Sequence, residues 1–159
     1  GTWNKSTNFE EATRSTLIAV SPSQKARGGK ARGLVEFVDL YPTLCDVCGL
    51  EAPASLEGCS FAPLLDDPNQ PWKQAAFSQA RPWGRMGRSI RTDRWRYVEW
   101  EDKGRVVARE LYDHGGGSGE DVNLASSAEH RAVVEQLSRR LRRGFGKDGW
   151  RRELPSAES

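Results

Sequence analysis

The sequence predicts an α+β chain: the end of an α/β unit, then a small four-stranded antiparallel sheet closed by a C-terminal helix. Three observations predict it. Thr16-Leu17-Ile18-Ala19-Val20 is a short apolar run rich in β-branched residues, and Leu40, Leu44, Val47 and Cys48 follow at helical spacing. From Ala75 to Tyr112 the apolar period changes to two. Beyond it, Ser126-Ser127-Ala128-Glu129 reads as a capping box ahead of Val133, Val134, Leu137 and Leu141, which mark one helix face. The division implied is 1–72 for the α/β part, 73–150 for the sheet and helix, and a polar, frayed tail at 151–159.

The first ten residues begin without a Met or a polar lead-in, as a chain cut inside a domain would. Lys5 is the candidate site residue. It lies between Trp3 and the hydroxyl and amide side chains of Ser6, Thr7 and Asn8. An ammonium on a flexible stem is a compact point charge suited to a tetrahedral oxyanion, and the neighbours can complete the hydrogen bonding. On local pattern alone, a solvated loop lysine is the simpler reading.

Thr16–Val20, ended by Ser21-Pro22, reads as a buried strand. The segment Gln24 to Gly33 is basic and glycine-rich, either a polyanion patch or a solvated surface loop, and it contains no aromatic residue for base stacking. Leu34 to Leu50 is the clearest helical region, with Asp39 as a cap, Pro42 in the first turn and Gly49 as a stop. Cys45 and Cys48 form a C-x-x-C pair, but zinc needs two more ligands, and Cys59, His114 and His130 stand at no matching spacing. Ala52 to Trp72 is a proline-rich connector in which Gly58 is expected to take a backbone conformation other residues resist.

Ala75–Ser78, Gly87–Arg91, Trp95–Trp100 and Val106–Leu111 read as the four strands, and Asp102-Lys103-Gly104 is a hairpin signal. Arg81, Arg85, Arg88, Arg91 and Arg94, with Trp83 and Trp95, form a run that can bind an anionic sugar or simply dress strand ends. His114 reads as a turn histidine. Asp113, Glu120, Asp121 and Asn123 do not have the spacing of an EF-hand. Arg131, Arg139, Arg140, Arg142 and Arg143 surround the last helix, where cations near a C-terminus are ordinary.

Composition narrows the function classes. At 159 residues the length suits one domain or a piece of a larger one, and a net charge of +2 does not itself call for a nucleic-acid partner. No apolar run approaches the roughly 18 residues of a membrane helix. Three cysteines are an odd number, which argues against a disulfide framework.

Five stretches in order carry a family resemblance. They are Gly1-Thr2-Trp3-Asn4-Lys5-Ser6-Thr7-Asn8-Phe9-Glu10-Glu11-Ala12-Thr13-Arg14, Val38-Asp39-Leu40-Tyr41-Pro42-Thr43-Leu44, Leu56-Glu57-Gly58-Cys59-Ser60-Phe61, Ser89-Ile90-Arg91-Thr92, and Glu110-Leu111-Tyr112-Asp113-His114 with Gly119-Glu120-Asp121-Val122-Asn123-Leu124-Ala125. Together they resemble the C-terminal part of sulfatases, in particular the iduronate-2-sulfatase-like group of the alkaline-phosphatase-like superfamily. The resemblance implies that Lys5 contacts the substrate sulfate, that 1–72 ends the catalytic domain, and that 73–150 is the small C-terminal subdomain. It implies a sulfuric ester hydrolase acting on a sulfated glycan such as iduronate 2-sulfate, in the periplasm or outside the cell. Calcium and a formylglycine nucleophile are implied for the complete enzyme.

Neither is expected here. Cys45, Cys48 and Cys59 do not stand in a Cys/Ser-x-Pro/Ala-x-Arg motif, and the family's calcium ligands precede the region matched. The expected chain is therefore a fragment, inactive alone, with no metal site of its own. Its partners are the missing N-terminal catalytic part and a sulfated substrate, with no specific nucleic acid and no membrane. A non-catalytic basic module for polyanions and a degenerate remnant stay open as alternatives.

Overall fold

A computed structural model of the chain describes residues 6–116 and 119–145. The candidate Lys5 and the tail expected at 151–159 lie outside the described residues. Along the chain come α1 (Glu10–Thr13), a 3-10 turn (Phe37–Asp39), α2 (Leu40–Val47), α3 (Ala62–Asp66), β1 (Ala76–Ala80), β2 (Met86–Arg91), β3 (Trp95–Asp102), β4 (Arg105–Asp113) and α4 (Arg131–Gly144), with short 3-10 turns at Pro82–Gly84, His114–Gly116 and Ala128–His130. Two compact units result. One is made of residues 17–76, the other of residues 6–16 together with 77–145.

The second unit is a sheet in the order β1-β2-β3-β4. β2 and β3 pair antiparallel, with Ile90 opposite Tyr97, and β3 and β4 pair antiparallel, with Tyr97 opposite Leu111. The β3–β4 connection turns at Lys103 (φ 48°) and Gly104 (φ 76°), the two left-handed residues that match the twist of a hairpin. A bulge at Trp100/Glu101 shifts the β3–β4 register, so Ala108 faces Trp100 while Val106 faces Glu101. All four expected strands are present.

β3 is covered on both faces, which explains why its sequence alternates so poorly: Arg96, Tyr97, Val98 and Glu99 are all buried. Residues sharing a face alternate along each strand. Arg91, Arg96 and Tyr112 lie on the face covered by residues 6–16, where Phe9 packs on Tyr112 with ring centroids 5.9 Å apart. Ile90, Tyr97, Glu99 and Leu111 lie on the face covered by α4, whose Leu137 and Leu141 are buried. The helix was expected to start at a Ser126–Glu129 capping box. Instead Ser127 precedes the 3-10 turn Ala128–His130 without a side-chain cap, and α4 begins at Arg131.

Residues 17–76 hold a smaller core of Cys45, Phe61, Leu64 and Ala75. Thr16–Val20 forms no strand. Ile18 and Val20 are 84% and 81% exposed, and among the described residues no strand pairs with the run, so its backbone has no ladder to join. In α2 the expected inward positions hold only in part: Leu40 and Val47 are half-buried, Leu44 and Cys48 are exposed, and Pro42, Thr43 and Cys45 are the buried ones.

Asp39 does not cap α2 with its side chain. Its carboxylate accepts from the backbone N–H of Glu36 (2.8 Å) and Cys59 (2.9 Å) and from Lys73 Nζ (2.6 Å), tying three separate segments together. Thr43 Oγ1 donates to the Asp39 carbonyl and accepts from the Phe61 N–H. Gly58 is required for closeness and not for a special φ. A Cβ there would sit 2.0 Å from the Val38 carbonyl oxygen.

Candidate functional site

The described chain picks up immediately after Lys5. Asn8 is buried under the sheet, with its Oδ1 accepting a long hydrogen bond from Ser78 Oγ at 3.5 Å. Glu10 opens α1 and is the focus of a buried ionic network. Its backbone N–H donates to Glu120 Oε2 (2.8 Å), and its Oε2 accepts from Arg91 Nε (3.1 Å) and from an Arg96 terminal nitrogen. Arg96 also donates to Thr13 Oγ1 (2.9 Å), and its Nε lies 2.6 Å from Glu120 Oε1, an ion-pair contact more than an aligned hydrogen bond. His114 Nε2 is 3.1 Å from the same Glu120 oxygen.

The arrangement stacks alternating charges, Arg91, Glu10, Arg96 and Glu120, with the His114 ring beside the last. Arg96 is 2% exposed, so its guanidinium depends on these carboxylates for the solvation it has lost. Burial alone would raise the Glu10 pKa. The hydrogen bonds and charges of Arg96 and Arg91 outweigh it and hold the carboxyl below the ordinary glutamate value. The consequence is mechanical. The start of α1 is fixed to β2, to β3 and to the turn after β4, only five positions beyond Lys5.

Glu10, His114 and Glu120 place one ligand atom each within 4.8 Å of one another. They do not fit calcium, which takes six to eight oxygens. Both carboxylates are already bonded to guanidinium groups, and the third member offers nitrogen. Two of the other loop candidates, Asp113 and Asn123, are committed elsewhere. Asp113 binds Arg94 in a fork (2.9, 3.1 and 2.6 Å), and that hydrogen bonding holds its pKa at about 2. Asn123 clips Leu111 N–H, Ala125 N–H and the Arg109 carbonyl together.

The cysteines are free. Burial pushes the Cys59 thiol up to about 11, so it is not a thiolate at neutral pH.

The arginine run from Arg81 to Arg94 is not one patch. Arg81 and Arg85 are exposed; Arg88 pairs with Glu101 on the α4 side and lies over the Phe145 ring; Arg91 joins Glu10 on the opposite side; Arg94 stacks on Trp95 at 4.6 Å. The basic loop is an exposed strip, held at one end by Lys25, which pairs with Asp66. The Glu10–Arg96–Glu120 network could not be found by motif, because its partners stand 86 and 110 positions apart. The one signal was chemical: an arginine at an interior strand position between tryptophan and tyrosine.

Residues 1–145 match the family model for the C-terminal region of N-sulphoglucosamine sulphohydrolase. The chain belongs to this sulfatase family. A sulfatase of Formosa agariphila is 28% identical over 137 residues, covering 86% of this chain and 25% of that protein. A Delta 4,5-hexuronate-2-O-sulfatase of Bacteroides thetaiotaomicron is 32% identical over 142 residues, covering 80% of this chain and 29% of the relative. The chain thus spans about a quarter of the length of the curated relatives it matches. A structure solved with its substrate D-glucosamine-2-N,6-O-disulfate superposes with a TM-score of 0.70 at 20% identity, over 87% of this chain and 29% of that one, and shares its fold. The antiparallel sheet with its C-terminal helix is thus the C-terminal part of the sulfatase family matched above.

Proposed function

We propose that this chain is the C-terminal portion of a sulfatase that hydrolyses sulfate esters of a glycan, with hexuronate 2-sulfates such as iduronate 2-sulfate as the substrate class. The observation that carries the reading is the family match over residues 1–145, which includes the Lys5 segment. The 32% identity to a hexuronate-2-O-sulfatase supports the substrate class. In this reading Lys5 contacts the sulfate, where a fixed cation stabilises the negative charge spread over the oxygens in the transition state. Residues 1–72 end the catalytic domain and 73–150 form the small subdomain.

A second feature supports a covering partner. Phe37 in the 3-10 turn and Tyr41 and Leu44 in α2 recur at helical spacing, and they are 75%, 55% and 62% exposed, with Leu50 at 65% beyond them. Such a contiguous apolar stripe is costly in water and marks an interface. In this reading the catalytic part that precedes the chain covers it. That part also supplies the formylglycine and the calcium ligands, because the described residues offer neither. The chain by itself hydrolyses nothing, and the complete enzyme works in the periplasm or outside the cell. Among the described residues no helix is long and apolar enough to cross a membrane.

The test is sulfate release by the protein expressed with its upstream coding sequence, against a 2-sulfated hexuronate disaccharide. Lys5→Ala is expected to lower kcat by about 10²–10³, the range seen when one oxyanion donor is removed. An unchanged rate, or measurable turnover by the 159-residue chain alone, overturns the reading.

A further inference from the structure

A groove of about 490 Å³ runs between α4 and the loop that follows β4, and its walls are cationic. Arg131, Arg139 and Arg142 line it from α4, at spacings of eight and eleven that keep them on one helix face. They span about 16 Å along the helix axis at 1.5 Å per residue. Arg109 on β4 lines the same groove.

Two of these arginines are held from beneath. Glu99 is 2% exposed, and its Oε1 lies 3.6 Å from Arg109 Nε and 3.5 Å from an Arg142 terminal nitrogen. The same oxygen accepts from Tyr97 OH (2.8 Å) and Ser138 Oγ (2.7 Å). Burial raises the Glu99 pKa, but the hydrogen bonds from Ser138 and Tyr97 and the charge of Arg142 leave it below the ordinary value, so the carboxylate stays ionised. It positions two guanidinium groups without neutralising the groove. Four arginines stand against Glu99 and Glu135, an excess of positive charge. The side chains of Arg109 and Arg142 remain 45% and 63% exposed, available to a ligand.

We propose that this groove, on the α4 face of the sheet, binds a sulfated oligosaccharide. Planar, always-charged guanidinium forks suit the oxygens of sulfate and carboxylate groups. The arginines are spread along the groove in a row, which suits an extended polyanion better than a single small anion. Among the described residues the lining holds no aromatic side chain, which argues against single-stranded nucleic acid, where bases stack on rings. The ligand class rests on the sulfatase reading; the charge and shape of the groove do not.

The test is binding of a sulfated hexasaccharide from heparin to the 159-residue chain, followed by calorimetry and by backbone amide NMR. The variant Arg131→Gln/Arg139→Gln/Arg142→Gln is expected to weaken binding at least tenfold and to flatten its salt dependence. The variant Arg27→Gln/Lys30→Gln/Arg32→Gln, in the basic loop, is expected to bind like the parent. Amide shifts at Ser126, Ser127 and Arg139 are expected on titration, and Arg→Lys at the three helix positions restores part of the affinity. No binding, equal loss in the loop variant, or equally tight binding of a DNA dodecamer overturns the proposal. The readout needs no turnover. Loss of the Lys5 effect in the complete enzyme, with groove binding intact, would therefore reject the catalytic reading and leave this one standing.

Discussion

Replacing Arg96 by Met tests how much of the fold hangs on the buried charges. The side chain is 2% exposed and meets Glu10, Thr13 and Glu120. Methionine fills similar space but leaves the Glu120 carboxylate, itself 4% exposed, with His114 and one backbone N–H as its partners among the described residues. Breaking a buried pair by removing one partner costs about 3–5 kcal/mol, because the other charge stays buried and uncompensated. At roughly 2–4 °C per kcal/mol for a chain of this size, the midpoint should fall by about 6–20 °C. Urea unfolding followed by tryptophan fluorescence measures the loss directly.

A pH series adds a sign. Glu10 has a folded pKa below its unfolded value, so its stabilisation is present above about pH 4.5 and is lost as pH falls through the folded value. Arg96→Met removes the main partner behind that shift, so the gap between parent and variant should narrow in acid. A loss below about 1 kcal/mol, the range of exposed ion pairs, refutes the argument that the network is buried and interdependent.

Two further outcomes follow from the other unit. Lys73→Met strands Asp39, which is 0% exposed, and should cost about 3–5 kcal/mol, read as early loss of structure in residues 17–76 by hydrogen exchange. Burial would lower the Lys73 pKa, but Glu36 and Asp39 raise it. The stabilisation is therefore complete below the unfolded value and fades only as pH rises through the folded one. Maleimide labelling at pH 7 should modify the exposed Cys48 first, and Cys59, with its thiol near 11, should react only as pH rises. Peptide mass mapping showing Cys59 labelled as fast as Cys48 would contradict that.

The strands and the β3–β4 hairpin were legible because their signals are local: a period of two and a turn that needs two left-handed residues. The Thr16–Val20 run misled because its composition describes a strand, while pairing depends on a neighbour that composition does not show. Gly58 was read as a φ requirement and proved to be one of closeness to Val38, a contact between segments 20 positions apart. Ser126–Glu129 carries the letters of a capping box, yet the chain spends a 3-10 turn before α4 starts. The family motif around Lys5 was readable in its letters. The clamp behind it was not, because Glu10, Arg96 and Glu120 meet only when the sheet is assembled.

The two-sided cover of β3 sets the order in which this unit can form. Residues 6–16 cover one face and α4 the other, and the intervening 17–76 segment belongs to a different unit. The central hairpin therefore emerges from a ribosome with one cover already made and the other still unsynthesised. Until residue 141 arrives, Tyr97 and Leu111 stay wet and Glu99 lacks Ser138. Contacts of such sequence separation close slowly. The nascent sheet is thus the stage with most apolar surface exposed, and α4 is the element that covers it.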